Sequence, residues 1–249
     1  MKFLVRLRPF FFILLLLVLW QFAASGGHDH LFPTPVQVGA GLVELFSQGL
    51  LAKYIIASLF RVTWGFGLAV LTAIPAGLTI GWNRRLEMAL NPLLQLLRPI
   101  SPLAWIPISI LWFGVGDMAA IFLIFLASFL PLTLTAISAV ESIPPVFVNA
   151  GRNFGLGSWE LVWRVLYPSV MPRLIIGIRI TLGIAWLVVV AAEMIAVNSG
   201  LGFLIVDARN AGNRYDLVVA GMVTIGCIGL LLDTGMRSLE KIRSLRWTY

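Results

Sequence analysis

Charge is scarce in this 249-residue chain: aspartate, glutamate, lysine and arginine together make up 12%. Hydrophobic residues make up 59%, a balance that excludes an ordinary soluble domain and fits a multi-span membrane protein. The single cysteine, Cys227, sits in an apolar run and excludes a disulfide framework or a cysteine metal site. Histidine is nearly as scarce. His28 and His30 flank Asp29, a cluster with no fourth ligand, read as a solvated loop rather than a metal site. There is no Gly-x-x-x-x-Gly-Lys-Ser/Thr loop, so the chain does not cradle a nucleotide in the usual way. Glycine-rich dinucleotide fingerprints, a His-Glu-x-x-His pair and a Ser-His-Asp set are likewise missing, so no catalytic residue is assigned. The net charge of +7 does not point to nucleic acid, because the basic residues lie in short clusters beside apolar runs.

Those runs set an expected topology. Phe10–Ala24, after Lys2, Arg6 and Arg8, reads as a first span or a signal peptide ending at Ala23-Ala24-Ser25. Gly26–Lys53 is expected outside, with an interfacial amphipathic helix over Val36–Phe46. Val62–Trp82 is a span on which Gly65, Ala69, Ala73, Gly77 and Gly81 recur every four residues. That ridge of small side chains lets another helix approach closely. Glu87–Leu97 reads as a short inner-surface segment, and Pro99–Gly116 as a crossing broken by Pro99, Pro102 and Pro107. Broken backbone at membrane depth is tolerated where it lines a wet cavity or is buried in protein. Pro102, Trp105 and Pro107 are therefore pathway candidates, helix punctuation being the alternative.

Met118–Val140 crosses back without a charge, Leu174–Val197 crosses outward and Leu217–Leu232 is the last span. Asn198–Asp216 is expected as a polar outer loop. Arg61, Arg179 and Glu193 fall near or within spans and must face protein or water. Glu193 near the outer mouth is read as a structural hydrogen-bonding group or a pathway residue. With six crossings and both termini in the cytoplasm, thirteen lysines and arginines fall inside and three outside (Lys53, Arg209 and Arg214), as the positive-inside rule requires.

One cytoplasmic stretch stands apart, Asn149–Pro172, NAGRNFGLGSWELVWRVLYPSVMP. Pro144-Pro145 can open a short helix, Gly155 and Gly157 can end it, and Ser158–Tyr167 forms a second segment running into Pro168 and Pro172. Within it Asn149-Ala150-Gly151, Gly155 and Val165-Leu166-Tyr167-Pro168 resemble the EAA loop of permease subunits of binding-protein-dependent ABC importers. Ala150, Gly155 and Pro168 match in register. Asn149 stands where that pattern has Glu, Gly151 for the second Ala, Val165 for Ile and Tyr167 for Leu. Arg98–Pro107, Leu111–Gly116, Gly177-Ile178-Arg179, Ala191–Ile195 and Gly200–Phe203 are similar to permeases of the nitrate/sulfonate/taurine group.

The resemblance implies an all-α membrane protein of about six transmembrane helices with type I (MetI-like) architecture. It implies one permease domain over 1–249, with a core of about 54–237 and a coupling loop of about 141–172. It also implies a bacterial inner-membrane location, a lipid bilayer around it and a second permease copy. Two ATPase subunits that bind ATP, and a periplasmic or extracellular solute-binding protein, complete the assembly; the chain itself carries no cofactor. Asn149, Ala150, Gly151, Arg152, Gly155 and Pro168 become the ATPase-coupling residues, and Arg152 pairs either with an acidic ATPase residue or with lipid headgroups. The substrate class is a small anion such as a sulfonate, taurine, nitrate or bicarbonate. A secondary transporter or channel is the rival, and it would call for intramembrane proton relays and inverted repeats.

Overall fold

The computed structural model describes residues 2–25, 32–210 and 212–244, with side chains described from 11 to 238. His28, Asp29, His30 and Arg246 lie outside the described residues. Apolar runs of membrane length satisfy their backbone groups internally by forming helices, and the chain is a succession of them: α1 (Lys2–Ser25), α2 (Pro35–Ser47), α3 (Leu50–Trp82) and α4 (Arg84–Leu97). After these come α5 (Pro102–Phe113), α6 (Asp117–Glu141), α7 (Pro145–Asn153), α8 (Ser158–Ala196), α9 (Leu201–Asn210) and α10 (Tyr215–Ser244). Four of them, α3, α6, α8 and α10, are long and apolar enough to cross a membrane.

The most extensive packing is between α3 and α6, followed by α6 against α8. Gly65, Ala69, Ala73, Gly77 and Gly81 lie on the seam between α3 and α6. A methyl group on Gly77 would stand 2.5 Å from the Thr133 carbonyl oxygen and 2.6 Å from Ala136 Cβ. The backbones therefore touch, and any larger residue there pushes the helices apart. Val62, Ile124, Ala185, Val189 and Leu201 fill the core near the end of the bundle that carries Asp117 and Ala196. Ala136, Val140, Leu166, Val170 and Leu174 fill it toward Glu141.

Four sequence expectations change. The crossing expected over Pro99–Gly116 is broken, as its prolines imply, but it is only one arm of a bent pair: α4 and α5 meet at an angle of 82°. Pro99 and Pro102 have no N–H to continue the ladder and disfavour helical backbone in the residue before them. The Ser101 hydroxyl instead caps the new helix by accepting from Leu103 N–H at 3.3 Å. At twelve residues α5 is about 18 Å long, short of the roughly 30 Å hydrocarbon layer. The α3 helix begins at Leu50, twelve residues before the expected span, at Gly49 in a left-handed conformation. The polar loop expected over Asn198–Asp216 contains α9, whose Leu201, Leu204 and Ala208 are buried. Finally, Pro168 and Pro172 do not stop the second segment, which runs on to Ala196. Pro168 cannot donate to the Arg164 carbonyl, and the preceding turn, Val162–Leu166, widens so that Tyr167 N–H bonds Val162.

Over the expected interfacial segment the Thr34 hydroxyl and Gln37 cap α2 reciprocally. Arg214 fastens this helix by donating to Glu44 at 2.7 Å and to Asp216 at 2.8 Å. Arg214 holds the Glu44 carboxyl below the ordinary carboxylate value. A depressed pKa contributes stability above the ordinary value and loses it as pH falls through the folded one. Glu44→Gln is therefore expected to lower Tm modestly at pH 7, and the gap between it and the wild type is expected to close in acid, where Glu44 is protonated. A Glu44→Gln protein that melts with the wild type at pH 7 would refute the tether.

Candidate functional site

At the end of the bundle where α6 finishes and α8 begins, α7 stands as a short helix outside the packed core. Pro145 starts it at a position that needs no donor. Gly155, with φ +77°, ends it. The ending is a Schellman closure, in which Leu156 N–H donates to the Gly151 carbonyl at 3.1 Å and Gly155 N–H to the Arg152 carbonyl at 2.9 Å. Leu156 then folds back over Gly151. A methyl group on Gly151 would meet Leu161 at 3.0 Å and Leu156 and Val165 at 3.3 Å, so Gly151 is the residue by which α7 is pinned to the start of α8. Glu160 accepts from Gly157 N–H at 3.4 Å, orienting the first turn of α8.

Of the expected coupling residues, Asn149, Ala150, Arg152 and Gly155 are exposed, Gly151 is buried and Pro168 is partly buried. Three apolar side chains that the sequence reading did not single out join them: Phe154 is 86% exposed, Trp159 72% and Val146 69%. Trp159, Trp163 and Tyr167 stack along α8 with ring centroids 5.8 and 5.4 Å apart. The i, i+4, i+8 spacing carries that signal in the sequence. A hollow of about 650 Å³ under α7 is lined by Pro144, Phe147, Gly151, Leu156, Val165 and Pro168.

The expected pathway residues separate. Pro102 and Trp105 line a largely apolar cavity of about 410 Å³ at the α4–α5 bend. Pro107 is exposed on α5 outside that cavity lining. Glu193 is at the opposite end, fully buried, in a cluster that ties four helices. Its carboxylate accepts from Arg61 Nη1 at 2.6 Å, from the Ser58 hydroxyl at 2.9 Å and from Gly202 N–H at 2.9 Å. Arg61 spends its remaining donors on Asp117, at 2.8 Å, and on the Ser199 carbonyl and hydroxyl, at 2.8 and 2.5 Å. With a further contact from Nη2 to Asp117 at 2.7 Å, every nitrogen of the guanidinium is matched to an acceptor, the condition under which burying an arginine is tolerable. Arg179 is held by Asp233 of α10 at 2.7 Å. Sequence reading placed Arg61, Arg179 and Glu193 in or near spans but had no means of pairing residues 132 positions apart.

Residues 65–244 match the model of the binding-protein-dependent transport system inner membrane component family. The chain belongs to that family. This permease is 36% identical over 235 residues to the taurine transport system permease protein TauC of Escherichia coli, covering 91% of the chain and 84% of the relative. It is 35% identical to the nitrate import permease protein NrtB of Synechocystis, covering 95% and 88%. It is 42% identical over 197 residues to a putative ABC transporter permease of Methanocaldococcus jannaschii, covering 79% and 73%. Among solved structures, a chain of the MetNI methionine ABC transporter in an inward-facing conformation superposes with a TM-score of 0.68 at 18% identity, covering 79% of the permease and 97% of that chain. The fold is the type I, MetI-like permease fold, and the permease is a multi-pass transport subunit of an ABC importer.

Proposed function

We propose that the permease forms the membrane pathway for a small anion and is driven by a separate ATPase that grips α7. The observation that carries this is the exposed α7 elbow, whose apolar Phe154 and Val146 face outward while Gly151 is fixed to α8. The α8 helix continues without a stop for 39 residues. Force applied to such an elbow is delivered to a rod that packs on α6, α9 and α10. ATP is bound and hydrolysed by the partner, α7 lies in the cytoplasm with both termini, and a binding protein delivers solute to the Asp117–Ala196 end. Two permease copies enclose the pathway in the bacterial inner membrane. The clustering of Arg84, Arg85, Arg98, Arg152, Arg164 and Arg173 around the α7 end supports that orientation. An anionic substrate is supported by the relatives' names, which specify taurine, nitrate and bicarbonate.

Cysteine placed at Asn149 or Phe154 is expected to crosslink to a nucleotide-binding subunit in membranes. Labelling of those positions only from outside the cell would reverse the orientation and end the proposal. Gly155→Val forces a β-branched residue into left-handed backbone at a cost of about 1–2 kcal/mol. The variant is expected to insert normally yet take up solute at least tenfold more slowly per ATP hydrolysed. Unchanged uptake would show that the turn does not transmit force. Uptake that persists when the partner's ATP hydrolysis is abolished would favour a secondary carrier.

A further inference from the structure

We infer that the hollow under α7 holds the headgroup of an anionic phospholipid from the inner leaflet, clamped between the elbow and the base of α8. Its volume of about 650 Å³ falls within the roughly 300–1,000 Å³ of small-molecule pockets. Two cations reach it, Arg164 and Arg173, and none of the residues that line it is acidic. The rest of the wall is largely apolar, with Ile143, Phe147, Leu156 and Val165 on it. A charged head joined to an apolar body fits such a wall better than either part alone.

The charges decide the sign of the ligand. Arg164 shares Glu160 at 3.5 Å, both side chains largely in water, and exposed pairs of that kind hold little. Arg173 also borders the chamber beside α4, where the acids are Glu87 and Glu141. Those two carboxyls are bonded to each other, and Glu87 accepts from Arg84 at 3.1 Å as well. Arg98 adds a further cation on that side. The balance left over is positive. The Ser142 and Ser169 hydroxyls donate to the carbonyls of Ala139 and Val165, so recognition falls to the guanidinium groups, whose forked donors match phosphate oxygens.

Depth decides between a lipid and a free anion. From Leu174 to Ala196 α8 runs for about 35 Å, slightly more than the roughly 30 Å hydrocarbon layer, so Arg173 stands at the level of the headgroups. Ile176 and Ile180 follow three and seven residues on, along the same stripe of the helix, and they are 46% and 61% exposed. An acyl chain leaving the hollow has that stripe to lie on, whereas inorganic phosphate gains nothing from it. Basic pockets on the cytoplasmic side of a helix bundle are where anionic headgroups gather. The occupant touches Phe147 and Gly151 of α7 together with Val165 and Pro168 of α8, and so stiffens the elbow. Its bearing on transport and the choice of leaflet rest on the proposed function. The site itself belongs to the permease alone.

The test is native mass spectrometry of the full-length permease, released from micelles holding equal amounts of phosphatidylglycerol and phosphatidylcholine. One phosphatidylglycerol is expected to stay bound, retained at least about tenfold over phosphatidylcholine. Arg173→Gln is expected to abolish that preference and Arg173→Lys to keep part of it. Ser169→Trp, which fills the hollow with its charges intact, is expected to lose the lipid as well. Arg85→Gln, at an exposed cation outside the hollow, should retain it. Arg173 and Ser169 are exposed, so the variants are expected to fold, which melting curves in phosphatidylcholine nanodiscs check. Equal retention of the two lipids, or a well-folded Arg173→Gln or Ser169→Trp protein that keeps phosphatidylglycerol, would overturn the site. Inorganic phosphate offers the same charged oxygens and forms the second arm. Displacement of the lipid by an equal concentration of phosphate would assign the hollow to a free anion and overturn the lipid assignment. Failure of α7 to crosslink an ATPase would sink the importer reading while leaving lipid retention untouched.

Discussion

Replacing Arg61 with methionine is expected to cost about 3–5 kcal/mol, the penalty for leaving a buried carboxylate without its partner. Glu193 is fully buried, and its remaining donors, Ser58 and Gly202 N–H, do not neutralise it. For a chain of this size each kcal/mol is worth about 2–4 °C in Tm, so a large drop in melting temperature is expected in detergent. Arg61→Lys is expected to fail nearly as badly. One ammonium has three donors and cannot reach Asp117, Glu193 and both oxygens of Ser199 together. The double variant Arg61→Met with Glu193→Gln is expected to recover much of the loss, because the uncompensated charge is then gone. Asp117→Asn should be mild, since that carboxylate is 56% exposed and reaches water. An Arg61→Met protein that melts with the wild type would mean the cluster holds nothing together.

Gly77→Leu is the second large effect. The first added carbon already meets the Thr133 carbonyl oxygen at 2.5 Å, and backbone cannot yield as a side-chain tip can. Overpacking of this kind costs about 1–3 kcal/mol in soluble cores. Here the extra volume must separate α3 from α6 along their main contact, and folded yield is expected to collapse. Gly77→Ala should show a smaller loss. Gly67→Leu, on the same helix with nothing within 4 Å of its Cβ position, should be tolerated. Equal yields for Gly67→Leu and Gly77→Leu would show that the ridge does not set the helix spacing.

The small-residue ridge was legible because close packing in lipid leaves a four-residue signature in one segment, and Gly65 through Gly81 carry it without help from the rest of the chain. The α7 elbow was legible for a similar reason. Pro145 and Gly155 impose local backbone limits, and both ends of the helix fall where those limits say. Pro168 departs from that local rule. Proline predicts a stop, but one widened turn absorbs the missing donor, and packing of Leu166 and Val170 against α6 keeps the helix going. The loop read over Asn198–Asp216 failed similarly. Its polar residues hid Leu201, Leu204 and Ala208, which are apolar on one face of a helix only ten residues long.

Composition, periodicity and proline–glycine placement determined on their own that this is a helical membrane protein with a short helix held apart between two spans. Each is a property of residues near one another in the chain, where hydrophobic length and backbone stereochemistry act. Only the tertiary structure decided that Arg61, Asp117, Glu193 and Ser199 form one cluster, and that an apolar cavity lies at the α4–α5 bend. Those depend on which helices lie side by side. Coulombic pairing and cavity shape act through space, and they leave no period in the sequence to read.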